Sequence, residues 1–362
     1  MGGISRIWSA ELKSDFLVIG AGAIGLACAQ ALCQRGAKVT IVERGRCAEE
    51  ASWAGGGILS PLCPWDYPDA VTRLAGRGAA LFPAWLRELH QATGVDPEYE
   101  VCGMRILPPF DRQAAEKWCA MHNVRLVADA SSEVLLLPDV GQVRNPRMLR
   151  ALRSRVESLG GRIVERCAVR EIVADAARVR KLETECGEFS ADAFIVAAGA
   201  WSKQVLGQHA LHLDITPVRG QMLLFKFETP PVRQIILQKD LYLVPRRDGH
   251  LLVGSTLEHA GFDKSTTAAA REDLSRRAAA ILPQLHGMAP VRQWAGLRPG
   301  SPGNIPTIGR HPRLENLYIN SGHFRYGVTM APASVEILMN ELEGVPQPFD
   351  VAPYRAGWNM AA

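Results

Sequence analysis

The sequence predicts an α/β fold in which a Rossmann-type dinucleotide-binding domain is joined to a substrate domain with a large antiparallel sheet. Three observations carry that prediction. Gly20, Gly22 and Gly25 follow the strand-like run Phe16–Ile19, Glu43 closes the next strand, and residues 213–258 hold β-branched and aromatic runs broken by turn residues. The 362 residues suffice for two such parts at roughly 150 residues per domain. Apolar residues make up 47% and charged residues 22%, the balance of a globular enzyme rather than a disordered chain.

The run FLVIGAGAIGLACAQALC has 18 residues with only Gln30 polar, long enough to suggest a membrane span. Its glycines argue for a strand, a tight turn and a buried helix to about Arg35, followed by the strand KVTIVE. In the G-x-G-x-x-G spacing, Gly20 permits the turn, Gly22 lets backbone amides approach a pyrophosphate, and Gly25 lets helix pack on strand. Ala23 and Ile24 open the helix, whose N-terminus brings positive potential to the phosphates. Glu43, 18 residues after Gly25, is placed to accept from adenosine ribose hydroxyls, and an acid there disfavours the 2′-phosphate of NADP.

Further along, residues 162–165 and CAVREIV read as two strands extending the same sheet, and DAFIVAAGAW as a buried strand ending at Gly199. LDITPVRGQMLLFKF, IILQKDLYLVPRR and HLLVGSTLE read as antiparallel strands, with Asp248-Gly249 as a turn. Residues 267–282 lack Gly and Pro and read as a helix stopped by Pro283. NLYIN is a strand, followed by a loop from Ser321 and a helix over about 333–342. The expected division is discontinuous: 1–80, 140–211 and 291–362 for the dinucleotide, 81–139 and 212–290 for the substrate.

Lys and Arg total 41 against 37 Asp and Glu, and the excess of +4 is spread along the chain, which argues against a nucleic-acid partner. The eight cysteines show no Cys-x-x-Cys spacing, so no metal site is expected and reduced thiols in a cytoplasmic protein are. The first 14 residues carry no apolar core of a secretory signal, and Arg6 stands where myristoylation after Gly2 needs Ser or Thr. No stable membrane association is expected.

ERGRCAEEASWAGGGILSP, DAFIVAAGAWS, GQM at 220–222, YLVPRRDGHLLVGSTLE, AGLRPGSP and SGHFRYGVTMAPAS, in that order, resemble the bacterial glycine oxidases. These belong to the D-amino-acid oxidase and sarcosine oxidase group of FAD enzymes, and the resemblance covers nearly the whole chain. It implies noncovalent FAD, since sarcosine oxidases attach flavin through a Cys near the counterpart of Arg298 and this chain has no Cys after Cys186. Arg44 is expected near the adenine, Val169 to hold the adenine through its backbone, and Ala51 and Ser52 to face the pyrophosphate. Gly56, Gly57 and Ile58 would flank the isoalloxazine. His323, Phe324, Arg325, Tyr326, Gly327, Val328 and Thr329 would cover the pyrimidine end of the ring, and the helix that follows would direct its dipole there.

For the substrate, a carboxylate beside a flavin needs a fixed cation, and Arg298 in AGLRPGSP is chosen, on a loop stiffened by Pro299. By resemblance Tyr242 donates to the same carboxylate and Arg325 is a second nearby arginine. The implied reaction is oxidative deamination of glycine, sarcosine or small D-amino acids with dioxygen, releasing hydrogen peroxide; the resemblance also suggests a homotetramer and delivery of the imine to thiazole synthesis for thiamine. Asp240, Tyr326 and Thr307 depart from the family pattern: Asp240 would place a carboxylate near the substrate, while Leu257 would line its cavity. Three alternatives remain at this point: a D-amino-acid dehydrogenase reducing a quinone, a nicotinamide dehydrogenase, and a non-catalytic dinucleotide-binding regulator.

Overall fold

The computed structural model describes residues 14–128 and 133–358. The expectations for the secretory signal and for Gly2 and Arg6 concern residues 1–13 and lie outside the described residues. The cofactor sheet has six strands in the order Thr307–Arg310, Leu317–Ser321, Ala191–Val196, Ser14–Ile19, Val39–Val42 and Arg162–Val164. All neighbours pair in parallel except the antiparallel edge strand Thr307–Arg310. A parallel sheet is buried on both faces, which accounts for the continuous buried runs LVI and VTIV. The suspected membrane span is thus a central strand followed by the helix Ala23–Gln34. No helix among the described residues is long and apolar enough to cross a membrane.

Helices Ala23–Gln34, Asp69–Thr93, Asn145–Ser158 and Gly327–Glu343 pack together on one side of this sheet. The 25-residue helix has its apolar residues Val71, Leu74, Phe82, Leu86 and Leu89 fully buried at helical spacing. It runs through position 80, the expected boundary between the two parts.

The second sheet has eight strands in the order Arg292–Gly300, Thr216–Lys226, His250–Gly254, Leu241–Pro245, Ile235–Gln238, Met104–Leu107, Leu135–Leu137 and Val127–Ala128. It is antiparallel except where Ile235–Gln238 meets Met104–Leu107. The helix Ala268–Ile281, capped by Thr267 through its side-chain oxygen and the Ala270 amide, covers one face.

Three expectations are corrected. Val169–Asp175 does not extend the cofactor sheet; the tight turn at Ala176, in the left-handed region at φ 42°, folds it back on Arg178–Thr184 as a separate three-stranded sheet. The last long helix begins at Gly327 rather than near 333, because Pro332 forfeits one intrahelical bond close to the helix start without ending the helix. Arg298 and Pro299 lie on a strand, not a loop: Arg292–Gly300 is the edge strand, where a proline costs no central ladder bond, and Pro299 faces Pro217. These nine residues therefore go with the eight-stranded sheet, although they fall after the expected boundary at 291.

Candidate active site

One cleft runs from the ends of the cofactor strands to the face of the large sheet. At the phosphate end, Gly20 has φ 107°, and a Cβ there would stand 2.5 Å from the Ala197 carbonyl oxygen. A Cβ on Gly25 would overlap the Gly20 carbonyl, so Gly25 packs beneath the turn rather than lining the cleft. Gly22 is the helix N-cap without a side-chain cap, and the Ala23 amide donates to Ser52 Oγ at 3.0 Å. Ile24 and Ala51 line the same wall.

Glu43 is buried, and its two oxygens accept from the Ala21 and Gly45 amides, each at 2.8 Å. It therefore ties the glycine turn to the end of the second strand, with further lone pairs left for hydroxyls of a ligand. Arg44 stacks 3.6 Å from the Trp201 ring centroid and pairs with Glu50 at 2.8 Å. Val169 and Gly199 line this end of the cleft.

Gly56, Gly57 and Ile58 form the wall facing the large sheet; a Cβ on Gly56 would stand 2.9 Å from the Tyr242 ring. The segment 323–329 also lines the cleft. Thr329 donates to the Ile58 carbonyl at 3.1 Å, which fixes the first turn of the last long helix against this wall. Gly327, Val328 and Thr329 are themselves in that turn, so the helix N-terminus faces the cleft directly. Phe324 sits in the left-handed region at φ 45°, with its amide bonded to the Pro299 carbonyl at 3.0 Å. Tyr326 is buried edge-on to Tyr67 with centroids 5.1 Å apart, and burial pushes its phenol well above the usual range.

Arg298 is half-buried on the cleft wall. Its Nη1 donates to the Thr256 carbonyl at 3.2 Å and its Nη2 to Ser255 Oγ at 2.6 Å. Desolvation lowers its pKa, the Tyr242 hydroxyl opposes that shift, and Arg325 adds to it, so the three side chains expected at the substrate end are brought together. No carboxylate among the described residues pairs with Arg298. Tyr242 is 8% exposed and its hydroxyl donates to Met222 Sδ at 3.3 Å. Arg325 lies with its Cζ 5.7 Å from the Phe324 ring centroid.

Two expectations fail here. Asp240 is bound by Arg277 on the neighbouring helix and does not line the cleft, and Leu257 is 43% exposed outside it. The residue alternation of the strand turns Tyr242 inward, whereas Asp240 lies in the preceding turn. Sequence reasoning missed Asn145, whose Nδ2 donates to the Ser52 and Gly55 carbonyls at 2.7 and 3.2 Å. Its position just before Pro146 marks a helix start, a signal that was available. Ser255 and Thr256 were within the quoted GSTLE run, but nothing local links them to Arg298.

FAD is the group this cleft fits. Asn145 Oδ1, Asn320 Oδ1 and His323 Nε2 are buried without a partner, and all three residues line it. Burial lowers His323 to about 3, so its imidazole is neutral and available as a single donor or acceptor. No group of three or more His, Cys, Asp or Glu among the described residues could hold a metal.

The profile of the FAD-dependent oxidoreductase family (DAO) matches residues 15–340. Glycine oxidase of Pseudomonas aeruginosa is 42% identical over 95% of this chain and 98% of its own. The bifunctional protein ThiO/ThiG of Synechocystis is 32% identical over 91% of this chain, which spans 51% of that longer protein. Among solved structures, glycine oxidase from Geobacillus kaustophilus superimposes with a TM-score of 0.88 at 27% identity, covering 94% of this chain and 98% of that one. The L-proline dehydrogenase of P. horikoshii, at 20% identity and TM-score 0.84, shares the fold. With a dinucleotide cleft that ends at an unpaired arginine, the chain belongs to the glycine oxidase family of FAD-dependent oxidoreductases.

Proposed function

We propose that this enzyme oxidises glycine and other small amino acids or amines, such as sarcosine and small D-amino acids, with dioxygen. Glycine, dioxygen and water would give glyoxylate, ammonia and hydrogen peroxide. The observation that carries the substrate class is Arg298: a buried-side guanidinium without a carboxylate of its own, next to the Tyr242 hydroxyl, at the end of a cofactor cleft. An anion completes such a site, because a desolvated charge is costly unless paired.

FAD, when bound, would supply a two-electron acceptor for the substrate's α-hydrogen, with dioxygen as the final oxidant. Arg298 binds the carboxylate with the donors that Ser255 and Thr256 leave free, and Tyr242 turns its hydroxyl from Met222 to the same oxygens. Arg325 adds positive potential. Held at one end, a small amine has its Cα directed along the cleft toward Gly56 and Gly57, a positioning effect that replaces a catalytic base. His323, neutral and buried, positions rather than titrates.

The same proposal includes the wider expectations. The cofactor part comprises 1–80, 140–211 and 291–362, with 81–139 and 212–290 for the substrate, except that the strand Arg292–Gly300 goes with the substrate sheet it pairs in. The eight cysteines are all free thiols, which supports a reducing cytoplasm. The relatives named ThiO/ThiG support delivery of the imine to thiazole synthesis, and assembly as a homotetramer completes the reading.

The test is turnover of the purified holoenzyme with glycine. One peroxide per glycine and anaerobic bleaching are expected, and Arg298→Ala lowers kcat/KM by about 30-fold or more, the loss of ~2 kcal/mol or more in charge-assisted bonds. Wild-type efficiency in that variant, or turnover without peroxide, overturns the assignment.

A further inference from the structure

Arg246 follows the strand Leu241–Pro245 and is 5% exposed. Its Nη1 donates to Gln142 Oε1 at 2.8 Å and to the Val143 carbonyl at 3.1 Å, and its Nη2 donates to the Gly56 carbonyl at 2.8 Å. All three acceptors are neutral. The anions that act on it, Glu98 and Asp248, are engaged by Arg144 at 3.1 and 2.8 Å. Burial and repulsion from Arg144 bring Arg246 down only to about 10, so it is a cation at neutral pH. Burying a charge against carbonyls alone is expensive, and a neutral donor would satisfy the same acceptors at lower cost.

The location gives that charge a use. The Gly56 carbonyl belongs to the peptide that ends in the Gly57 amide, and both residues line the cofactor cleft. On the other side Gly56 touches Tyr242, on the same strand that leads into Arg246. We propose that Arg246 is a positioning residue for the flavin: it clamps the Gly56–Gly57 peptide to the substrate strand and gives that wall a fixed positive charge, which favours the reduced, anionic ring. The inference rests on the reading that Gly56 and Gly57 flank the ring. A guanidinium suits the role because its planar fork reaches three acceptors on two chain segments at once.

The test uses Arg246→Gln, which keeps a donor without the charge, and Arg246→Lys, which keeps the charge without the fork. Sulfite, which adds to oxidised flavin and leaves a negative charge on the ring, is titrated into each holoenzyme, and the flavin's two-electron potential is measured. Arg246→Gln is expected to bind sulfite at least tenfold more weakly than wild type, with a potential about 30 mV lower if the same tenfold applies. Arg246→Lys stays within threefold of wild type. Neither readout needs glycine turnover, so failure of the substrate assignment leaves this test intact. Unchanged sulfite affinity in Arg246→Gln overturns the proposal, as does an equal defect in Arg246→Lys. If Arg246→Gln gives no folded holoenzyme by circular dichroism, Glu98→Gln is measured instead. Removing that offsetting anion is expected to tighten sulfite binding at least threefold, and no change overturns the proposal.

Discussion

The guanidinium of Arg298 lies against the Cα of Gly220 on the adjacent strand, so close that a Cβ there would overlap its Cζ and both terminal nitrogens. The two strands pair over nine residues, with Val218 opposite Arg298, and Gly220 is the gap that lets the side chain lie across the sheet into the cleft. Gly220→Ala forces the guanidinium off Ser255 at a cost of about 1–3 kcal/mol, the range for overpacking. We expect KM for glycine to rise at least tenfold while flavin content and visible spectrum stay unchanged. Steady-state kinetics with a flavin count check this; an unaltered KM would mean that Arg298 does not hold the substrate.

Glu43 serves the glycine turn before it serves any ligand, since both its oxygens accept backbone amides. Glu43→Gln keeps one acceptor and turns an NH₂ toward the other amide, leaving a buried donor unsatisfied at about 1–3 kcal/mol. The apoprotein is expected to lose that much stability in urea unfolding, and the FAD dissociation constant to rise at least tenfold. A variant that loses FAD affinity with full apoprotein stability would assign Glu43 to the ligand alone.

What the sequence made legible was local in the chain. Gly20, Gly22, Gly25 and Glu43 lie within one strand, helix, strand unit, and each is explained by a turn, a close approach or a strand end. Arg298 and Tyr242 were legible only as parts of recognised motifs, and the strand carrying Arg298 was hidden by Gly296, Pro299 and Gly300, residues that an edge strand tolerates. The start of the last helix was hidden in the same way by Gly327 and Pro332. Arg246 and Asn145 escaped because their acceptors are remote: Gly56 is 190 residues from Arg246 and Ser52 is 93 from Asn145. No periodicity reports on a bond of that span.

The flavin is expected to be removable. Cys167 is the cysteine that lines the cleft, and it stands with Val169 at the end opposite Arg298. Its thiol donates to Thr184 Oγ1 at 3.2 Å in full burial, away from the wall made by Gly56 and Gly57. Precipitation with acid should leave a colourless pellet and all flavin absorbance in the supernatant; a yellow pellet would show a covalent link.

His323 ties the cofactor loop to the pH dependence of folding. In the folded protein its ring is 2% exposed, Nε2 has no partner, and burial lowers the pKa from 6.5 to about 3. The unfolded chain takes up this proton near 6.5 while the folded chain refuses it until about 3, so between those values the unfolded state binds more protons and acid favours unfolding. His323 therefore contributes full stability above the unfolded value and loses it as the pH falls. One proton corresponds to about 1.4 kcal/mol per pH unit. Unfolding free energies measured across this window should fall more steeply for wild type than for His323→Asn by about that slope, because Asn carries no titrating group into either state. Equal slopes would mean that the folded imidazole accepts a proton in the ordinary range, and the loop around it would then be open to water.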